Sequence, residues 1–278
     1  MSDPMVSADW LKDRLGAADL RIVDATLPLL GQPGHGRDFY TAGHIPGAVF
    51  FDINAIADLT TDLPHMLPAP EVFAEAAGAL GLDPAMTVVV YDAHGLWSAP
   101  RVWWTLRVMG YARVFVLDGG LPAWRAAGGG METAETAPAA ATVAARPIPS
   151  LVVDLERVRD VLAEGSAQVV DARSAPRFRG ETPEPRAGLR SGHMPGALNV
   201  PFNLVVAPDG TLKSREALAE VFAGVDLARP IITTCGSGVT AAVLALALAR
   251  LGRDDVAVYD GSWTEWGGRA DAPVVTGA

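Results

Sequence analysis

Apolar and polar residues follow one another along the chain in short blocks that predict strands and helices in turn. The run Ile231–Thr234 is apolar and β-branched and lies between Pro230 and a glycine-rich turn, which predicts a buried strand. An Ala- and Leu-rich run that ends near Gly252 follows it and predicts a buried helix. Strand-like and helix-like blocks alternate in this way through both halves of the chain. The pattern predicts an α/β fold with parallel sheets that carry helices on both faces.

The same order of blocks is written twice in the sequence. Five positions of the first half have counterparts at corresponding places in the second half, and four of them keep the residue type. The pairs are Asp24 and Asp171, His44 and His193, Asp92 and Cys235, Asp118 and Asp260, and Trp124 and Trp266. Pairs that keep their order and nearly constant spacing indicate an internal repeat. We predict one domain over residues 1–135 and a second over residues 151–278. Residues 136–150, rich in Ala and Pro, are predicted to be a semi-extended linker.

Composition and charge exclude several classes of protein. Half of the 278 residues are hydrophobic and 19% are charged, which is ordinary for globular domains. A net charge of −10 without any Lys/Arg-rich block argues against a nucleic-acid or anionic-membrane surface. The longest apolar run is too short to span a bilayer, and the first residues do not resemble a signal peptide. We expect a soluble cytoplasmic protein.

The chain contains a single cysteine, Cys235, at the corner between the predicted strand and helix. One cysteine excludes an intramolecular disulfide and a multi-cysteine zinc site, and we expect neither a metal nor a cofactor. Inward-turned N–H groups of such a loop and the start of a helix stabilise a thiolate, the nucleophilic form of cysteine. Ligands of open parallel sheets bind beyond the carboxyl ends of the strands, where Cys235 lies. The alternative is that Cys235 is a small buried hydrophobic residue.

Differences between the two repeats point to the chemistry. Asp92 stands where the second repeat has Cys235, so we expect the first domain to be catalytically silent. Residues 174–191 carry a group of arginines that the first repeat lacks in this form, namely Arg177, Arg179, Arg186 and Arg190. Arginine forks suit a carboxylate or a sulfur oxyanion. His193 shares its turn with His44 and is predicted to be structural.

Other reaction classes for a thiol at this corner fit less well. A cysteine phosphatase needs an arginine six positions after the cysteine, where this chain has Ala241. A cysteine protease needs a histidine partner such as His44, and a tight glycine loop leaves little room for a peptide. A non-catalytic binding module stays open, because folds also host inactive copies.

Taken together, the repeat and its motifs resemble the tandem rhodanese-type sulfurtransferases. The motifs that carry the resemblance are residues 44–48 (HIPGA), 98–104 (SAPRVWW), 117–120 (LDGG), 235–240 (CGSGVT) and 261–266 (GSWTEW). The resemblance covers nearly the whole chain and implies two rhodanese-like domains. It also implies that Cys235 takes sulfane sulfur from a donor, holds it as a persulfide and passes it to a nucleophilic acceptor. The sequence leaves cyanide, thioredoxin, a small thiol and a dedicated protein open as that acceptor.

Two branches of that family differ in the loop after the cysteine. The thiosulfate-using branch carries basic residues there, whereas Gly236 and Ser237 are uncharged, as in the branch that uses 3-mercaptopyruvate. That branch also has an arginine at the position of Arg186, where the thiosulfate branch has an acid. The resemblance therefore implies 3-mercaptopyruvate as the donor, with thiosulfate as the alternative.

The same resemblance assigns roles to individual residues. Arg177 and Arg186 would hold the carboxylate and keto group of the donor. Ser237 would hydrogen-bond the donor sulfur or the departing enolate, helped by His44. An acidic partner of that pair is left unassigned, although Asp38 is nearest in sequence. Further substrate contacts are expected from the remaining residues of the loop, Gly236, Gly238, Val239 and Thr240.

Overall fold

The computed structural model describes residues 3–277 and places them in two compact units. Unit 1 comprises the chain up to Leu59 together with Leu67–Ile148 and Val206–Leu212. Unit 2 comprises Thr60–Met66, Pro149–Val205 and the chain from Lys213 onward. Each repeat thus forms one unit, and each unit also takes in a short segment from the other half of the sequence.

The stretch predicted as a linker is extended, and most of it lies against unit 1. Main-chain hydrogen bonds of 2.7–3.0 Å tie it there, from the N–H groups of Ala141, Arg146 and Ile148 to the carbonyl groups of Gly78, Met109 and Val108. A segment held by its backbone groups is part of the unit that holds it. The main part of unit 1 accordingly continues to Ile148, thirteen residues beyond residue 135, the end of the first predicted domain.

Unit 1 is built on a five-stranded sheet in which every pair of neighbouring strands is parallel. Its strands are β1 (Met5–Val6), β2 (Leu20–Asp24), β3 (Ala48–Phe50), β4 (Thr87–Tyr91) and β5 (Val114–Leu117), in the order β1-β5-β4-β2-β3. Its helices are α1 (Ala8–Lys12), α2 (Gly36–Ala42), α3 (Pro70–Ala79), α4 (Ala99–Val108) and α5 (Gly120–Ala126). The central strand β4 is a continuous apolar run because side chains on both of its faces are buried.

Unit 2 repeats this plan with a second parallel sheet. Its strands are β6 (Val152–Val153), β7 (Gln168–Asp171), β8 (Leu198–Asn199), β9 (Ile231–Thr234) and β10 (Ala257–Tyr259), in the order β6-β10-β9-β7-β8. Its helices are α6 (Leu155–Glu164), α7 (Ala175–Phe178), α8 (Arg215–Val221), α9 (Ala241–Arg250) and α10 (Ser262–Gly268). The identical strand order confirms the internal repeat and the α/β fold predicted from the sequence.

Strand β9 and helix α9 form the centre of unit 2. All four residues of β9 are buried, and eight of the ten residues of α9 are buried as well. Ala and Leu have high helix propensity, and Gly252, with a φ of 93°, allows the chain to turn away after the helix. The strand and helix predicted on either side of Cys235 are thus confirmed. Among residues 3–277, no helix is long and apolar enough to cross a membrane.

Candidate active site

Cys235 lies directly after β9, in the loop that leads into α9, and its side chain is only 2% exposed. The start of α10 supports this loop from one side. The Cys235 N–H donates to the hydroxyl oxygen of Ser262 at 3.2 Å, and the Cys235 carbonyl accepts from the Trp263 N–H at 2.9 Å. The Gly236 carbonyl accepts from both the N–H and the hydroxyl of Thr264, at 2.9 and 2.6 Å. These bonds fix the main chain on which the thiol is carried.

The corresponding corner of unit 1 shows what such a loop binds. There the buried carboxylate of Asp92 accepts four main-chain N–H groups at 2.8–2.9 Å, from His94, Trp97, Ser98 and Ala99. A ring of inward-pointing N–H groups at the start of a helix stabilises a negative group. We call this ring the backbone cradle of unit 1. The loop between β9 and α9 in unit 2 has the same place in the repeat and is one residue shorter.

Two of the predicted arginines lie against the loop of Cys235. A Cβ atom added to Gly236 would stand 3.1 Å from Nη2 of Arg177 and 3.8 Å from Nη1 of Arg186. Arg186 also donates from Nη2 to the hydroxyl oxygen of Ser237 at 3.3 Å. The structure thus brings together Cys235 and four neighbouring residues that the sequence singled out. Glycine at position 236 leaves the space that the guanidinium groups occupy.

Arg186 is a partly desolvated cation. Burial lowers the pKa of Arg186, attraction to Cys235 and to Glu184 opposes this effect, and the nearby charge of Arg177 reinforces it. Arginine keeps its proton in proteins even so. A cation that has lost part of its hydration binds an incoming anion more strongly than an exposed one does.

The other two arginines of the predicted cluster do not belong to this site. Arg179 is exposed and pairs with Glu181 at 2.6 and 2.7 Å. Arg190 donates to main-chain carbonyl groups on and after α10, those of Trp266, Gly267, Arg269 and Ala272. Arg190 therefore holds the end of unit 2 together.

The rest of the loop has a supporting geometry. Gly238 adopts a φ of 76°, in the left-handed region that favours glycine, and Val239 is buried. Thr240 directly precedes the first residue of α9. Among residues 3–277, no group of three or more His, Cys, Asp or Glu side chains is arranged to hold a metal ion.

His44 occupies a structural position, which removes it from the candidate site. Its ring is fully buried in unit 1, stacks on Tyr40 at 3.8 Å, and places Nδ1 2.8 Å from the Tyr40 carbonyl oxygen and Nε2 3.4 Å from Glu132. His193 has the same setting in unit 2, stacked on Phe178 with Nδ1 2.8 Å from that residue's carbonyl oxygen. Because Nδ1 faces the Tyr40 carbonyl and Nε2 faces Glu132, neither ring nitrogen is directed at Ser237, and we withdraw the expected assistance of Ser237 by His44.

A different histidine belongs to the unit that carries the thiol. Among the described residues other than glycine, two have a positive φ: Ser262 at 51° and His65 at 64°. Ser262 bonds the main chain of Cys235, and His65 lies in the segment Thr60–Met66 that is part of unit 2. Backbone strain of this kind concentrates at functional sites. His65 was not predicted as a site residue, because nothing in the repeated sequence pattern places its segment in unit 2.

A buried acid that was not predicted from the sequence lies beside the arginines. Glu184 bridges Arg173 and Arg177, and its side chain is 1% exposed. The only sequence signal was its position inside the arginine-rich stretch, where an acid is expected to be solvated.

The comparisons with known proteins agree with this fold. The Rhodanese-like domain model matches residues 7–127 and 154–269, which are the two repeats, and the chain therefore belongs to the rhodanese family. It is 46% identical over 272 residues to the 3-mercaptopyruvate sulfurtransferase of Escherichia coli (strain K12), across 97% of this chain and 96% of that protein. It is 44% identical over 276 residues to the human 3-mercaptopyruvate sulfurtransferase, across 96% of this chain and 92% of that protein.

Two further matches extend the comparison. Thiosulfate/3-mercaptopyruvate sulfurtransferase 2 of Arabidopsis thaliana is 44% identical over 297 residues, across 99% of this chain and 87% of that protein. The crystal structure of SseA from Escherichia coli superposes with a TM-score of 0.87 at 43% identity, and the match covers 94% of this chain and 99% of that chain. Near-complete coverage on both sides means that the chain and these relatives share both repeats.

Proposed function

We propose that the chain transfers sulfane sulfur from 3-mercaptopyruvate to a thiophilic acceptor through a persulfide on Cys235. The observation that carries the proposal is the placement of Arg177 and Arg186 against Gly236, next to a loop that has no charge of its own. A donor whose negative charge lies several bonds from its sulfur can meet these arginines while its sulfur reaches the thiol. The high identity to curated 3-mercaptopyruvate sulfurtransferases supports the same donor.

The reaction runs in two displacement steps. The Cys235 thiolate attacks the sulfur of 3-mercaptopyruvate, an S–S bond forms, and the C–S bond breaks with its electron pair staying on carbon as the pyruvate enolate. The enolate takes up a proton and leaves as pyruvate. The acceptor then attacks the outer sulfur of the persulfide, and the electron pair of the broken S–S bond returns to Cys235 as a thiolate.

The site residues divide this work between them. Arg177 and Arg186 bind the carboxylate and keto group of the donor through charge-assisted hydrogen bonds. The hydroxyl of Ser237, which Arg186 contacts, hydrogen-bonds the donor sulfur or the departing enolate. Main-chain groups of the loop favour the anionic form of the sulfur. The conformation of this loop is set by its remaining residues, Gly236, Gly238, Val239 and Thr240.

The acceptor comes from outside the chain. Cys235 is the only cysteine in the sequence, so no second thiol of this protein can take the sulfur from the persulfide. We propose a free thiol, a thiol protein such as thioredoxin, or cyanide as the acceptor. A single cysteine that works as a free thiolate also favours a reducing compartment such as the cytoplasm.

Unit 1 is proposed to be catalytically silent. Its backbone cradle is filled by the carboxylate of Asp92, and its counterpart of Arg177 is Leu30. Neither a nucleophilic thiol nor a matching donor-binding arginine is therefore present in that repeat.

The donor is tested by measuring kcat/KM for 3-mercaptopyruvate and for thiosulfate side by side, with cyanide as the acceptor. We expect a preference for 3-mercaptopyruvate of at least about tenfold, the low end of what one charge-assisted contact supplies. Thiosulfate is the second candidate, because the Arabidopsis relative is named for both donors. Equal use of both donors would reduce the proposal to a general sulfurtransferase.

His65 is proposed as the histidine that assists Ser237. We expect His65→Gln to lower kcat/KM for 3-mercaptopyruvate by at least about tenfold, the effect of losing one hydrogen bond of roughly 1.4 kcal/mol. The matched control is His94→Gln in unit 1, a half-buried histidine on the loop after β4, which should change kcat/KM less than about twofold. Similar losses in the two variants would remove His65 from the mechanism.

A further inference from the structure

A carboxylate lies behind the donor-binding arginines and is shared between two guanidinium groups. Oε1 of Glu184 accepts from Nη1 of Arg173 at 2.9 Å and from Nε of Arg177 at 3.2 Å. Oε2 accepts from Nη2 of Arg177 at 2.5 Å. The Glu184 side chain is 1% exposed, so both of its oxygens are committed to arginines rather than to water.

Arg173 anchors this carboxylate to the sheet. Its Nε and Nη2 donate to the carboxylate of Asp171, the last residue of β7, at 3.0 and 2.7 Å, and Nη2 also donates to the Gly192 carbonyl at 2.9 Å. Its guanidinium group lies 4.1 Å from the centre of the Trp263 ring. Because the Arg173 side chain is fully buried and hydrogen-bonded on every edge, it has a single orientation. The hydrogen bond from Arg173 in turn fixes the position of the Glu184 carboxylate.

Glu184 in turn decides which edge of Arg177 faces the loop. The carboxylate occupies the edge formed by Nε and Nη2, in the two-point geometry typical of arginine and carboxylate. The edge formed by Nη1 and Nη2 is left for a ligand. Since Nη2 lies next to Gly236, this edge is presented beside the thiol-bearing loop.

The two donor-binding arginines differ in whether a neighbouring carboxylate neutralises their positive charge. Glu184 balances Arg177, and Asp171 balances Arg173, both at ion-pair distance. Arg186 contacts the Ser237 hydroxyl, and no carboxylate of the described residues lies within ion-pair distance of it. Leaving the Cys235 thiol aside, this group carries one net positive charge, which Arg186 supplies. Its five members are Asp171, Arg173, Arg177, Glu184 and Arg186.

We propose that Glu184 is a positioning residue that sets donor selectivity: it fixes the orientation of Arg177 and cancels its charge, so that the site matches a monoanion. This inference rests on the proposed function. The single carboxylate of 3-mercaptopyruvate is offset by Arg186 and oriented by Arg177. Thiosulfate, a dianion, brings one negative charge more than the site offsets. Glu184 thereby favours the first donor by geometry and disfavours the second by charge.

The test replaces Glu184 with glutamine, which keeps the side-chain size and removes the negative charge. Both donors are assayed with cyanide as the acceptor. We expect KM for 3-mercaptopyruvate to rise about tenfold with kcat within about threefold, because Arg177 loses its fixed orientation. Thiosulfate should keep or increase its kcat/KM, because the site gains one net positive charge. The selectivity ratio should therefore fall by about tenfold or more.

A matched control lies three residues earlier in the same stretch. Glu181→Gln makes the same chemical change at an exposed acid that pairs with Arg179, and it should shift the selectivity ratio by less than about twofold. A second variant, Glu184→Asp, keeps the charge and withdraws the carboxylate by one methylene. It should raise KM for 3-mercaptopyruvate and leave thiosulfate within about twofold of the wild type.

The outcomes separate this inference from the proposed function. Wild-type protein that does not turn over 3-mercaptopyruvate overturns the proposed function itself. Wild-type turnover combined with equal losses for both donors in Glu184→Gln makes Glu184 a structural residue only and overturns the inference. If circular dichroism shows that the glutamine variant is unfolded, the selectivity ratio between the two donors is measured on Glu184→Asp instead, and an unchanged ratio overturns the inference. Where thiosulfate turnover is too slow to measure, the inhibition constant of thiosulfate against 3-mercaptopyruvate is measured in place of kcat/KM for thiosulfate.

Discussion

Replacing Cys235 with serine is expected to abolish sulfur transfer and to leave the fold intact. A serine hydroxyl is a poor nucleophile at neutral pH and cannot carry sulfane sulfur. The change is nearly isosteric, and the main-chain bonds of residue 235 to Ser262 and Trp263 do not involve its side chain. Thermal unfolding should therefore shift by only a few degrees, on the order of 1 kcal/mol.

Mass spectrometry of the whole chain measures the result directly, because the sequence has no other cysteine. After treatment with the donor, wild-type protein should gain one sulfur atom per chain and the serine variant none. Turnover by the variant would contradict the assignment of the nucleophile. Sulfur found on any peptide other than the one that contains Cys235 would contradict the proposal that unit 1, with Asp92 in its cradle, is silent.

Removing the charge of Arg186 is expected to have the next largest effect. Arg186→Ala should raise KM for 3-mercaptopyruvate by about ten- to more than hundredfold, since a hydrogen bond to a charged group contributes about 1.5–3 kcal/mol. The upper part of that range is favoured because burial, which lowers the pKa of Arg186, also excludes the water that would compete with the donor. Steady-state kinetics at fixed cyanide concentration measures the change.

The matched control for this variant is Arg179→Ala. Arg179 lies in the same stretch, is exposed, and pairs with Glu181 through hydrogen bonds that water screens. Its removal should alter KM by less than about twofold. Equal effects of the two substitutions would mean that the stretch contributes a diffuse positive field rather than a specific contact at Arg186.

Much of the fold could be predicted because the sequence contains an internal repeat, so that each half supports the interpretation of the other. The buried run of β9 and the Ala/Leu-rich α9 have strong local patterns, and the same order of elements in the first half supported both. Strands β1 and β6 were not predicted, because two residues are too few to show a period. The exchange of the segments Thr60–Met66 and Val206–Leu212 between units was also beyond prediction, since it depends on tertiary contacts.

The candidate site was predictable only where one repeat differs from the other. Cys235 and the arginine-rich stretch stood out by that comparison, and the structure places Arg177 and Arg186 at the loop of Cys235. His44 was misleading because a motif shared with a known family drew attention to a turn that both repeats need for packing. Glu184 was missed because burial, not residue type, distinguishes it from the exposed Glu181 nearby.

The Asp92 carboxylate in the backbone cradle of unit 1 can be compared with the persulfide that we propose for Cys235. Each oxygen of the Asp92 carboxylate lies three bonds from the Cα atom, and so does the terminal sulfur of a cysteine persulfide. An aspartate at this position therefore matches, in number of bonds and in negative charge, the persulfide that we propose for Cys235. The unit that we propose to be silent thus carries, as a fixed part of its own chain, an anion at the place in the repeat where we propose that Cys235 holds the transferred sulfur.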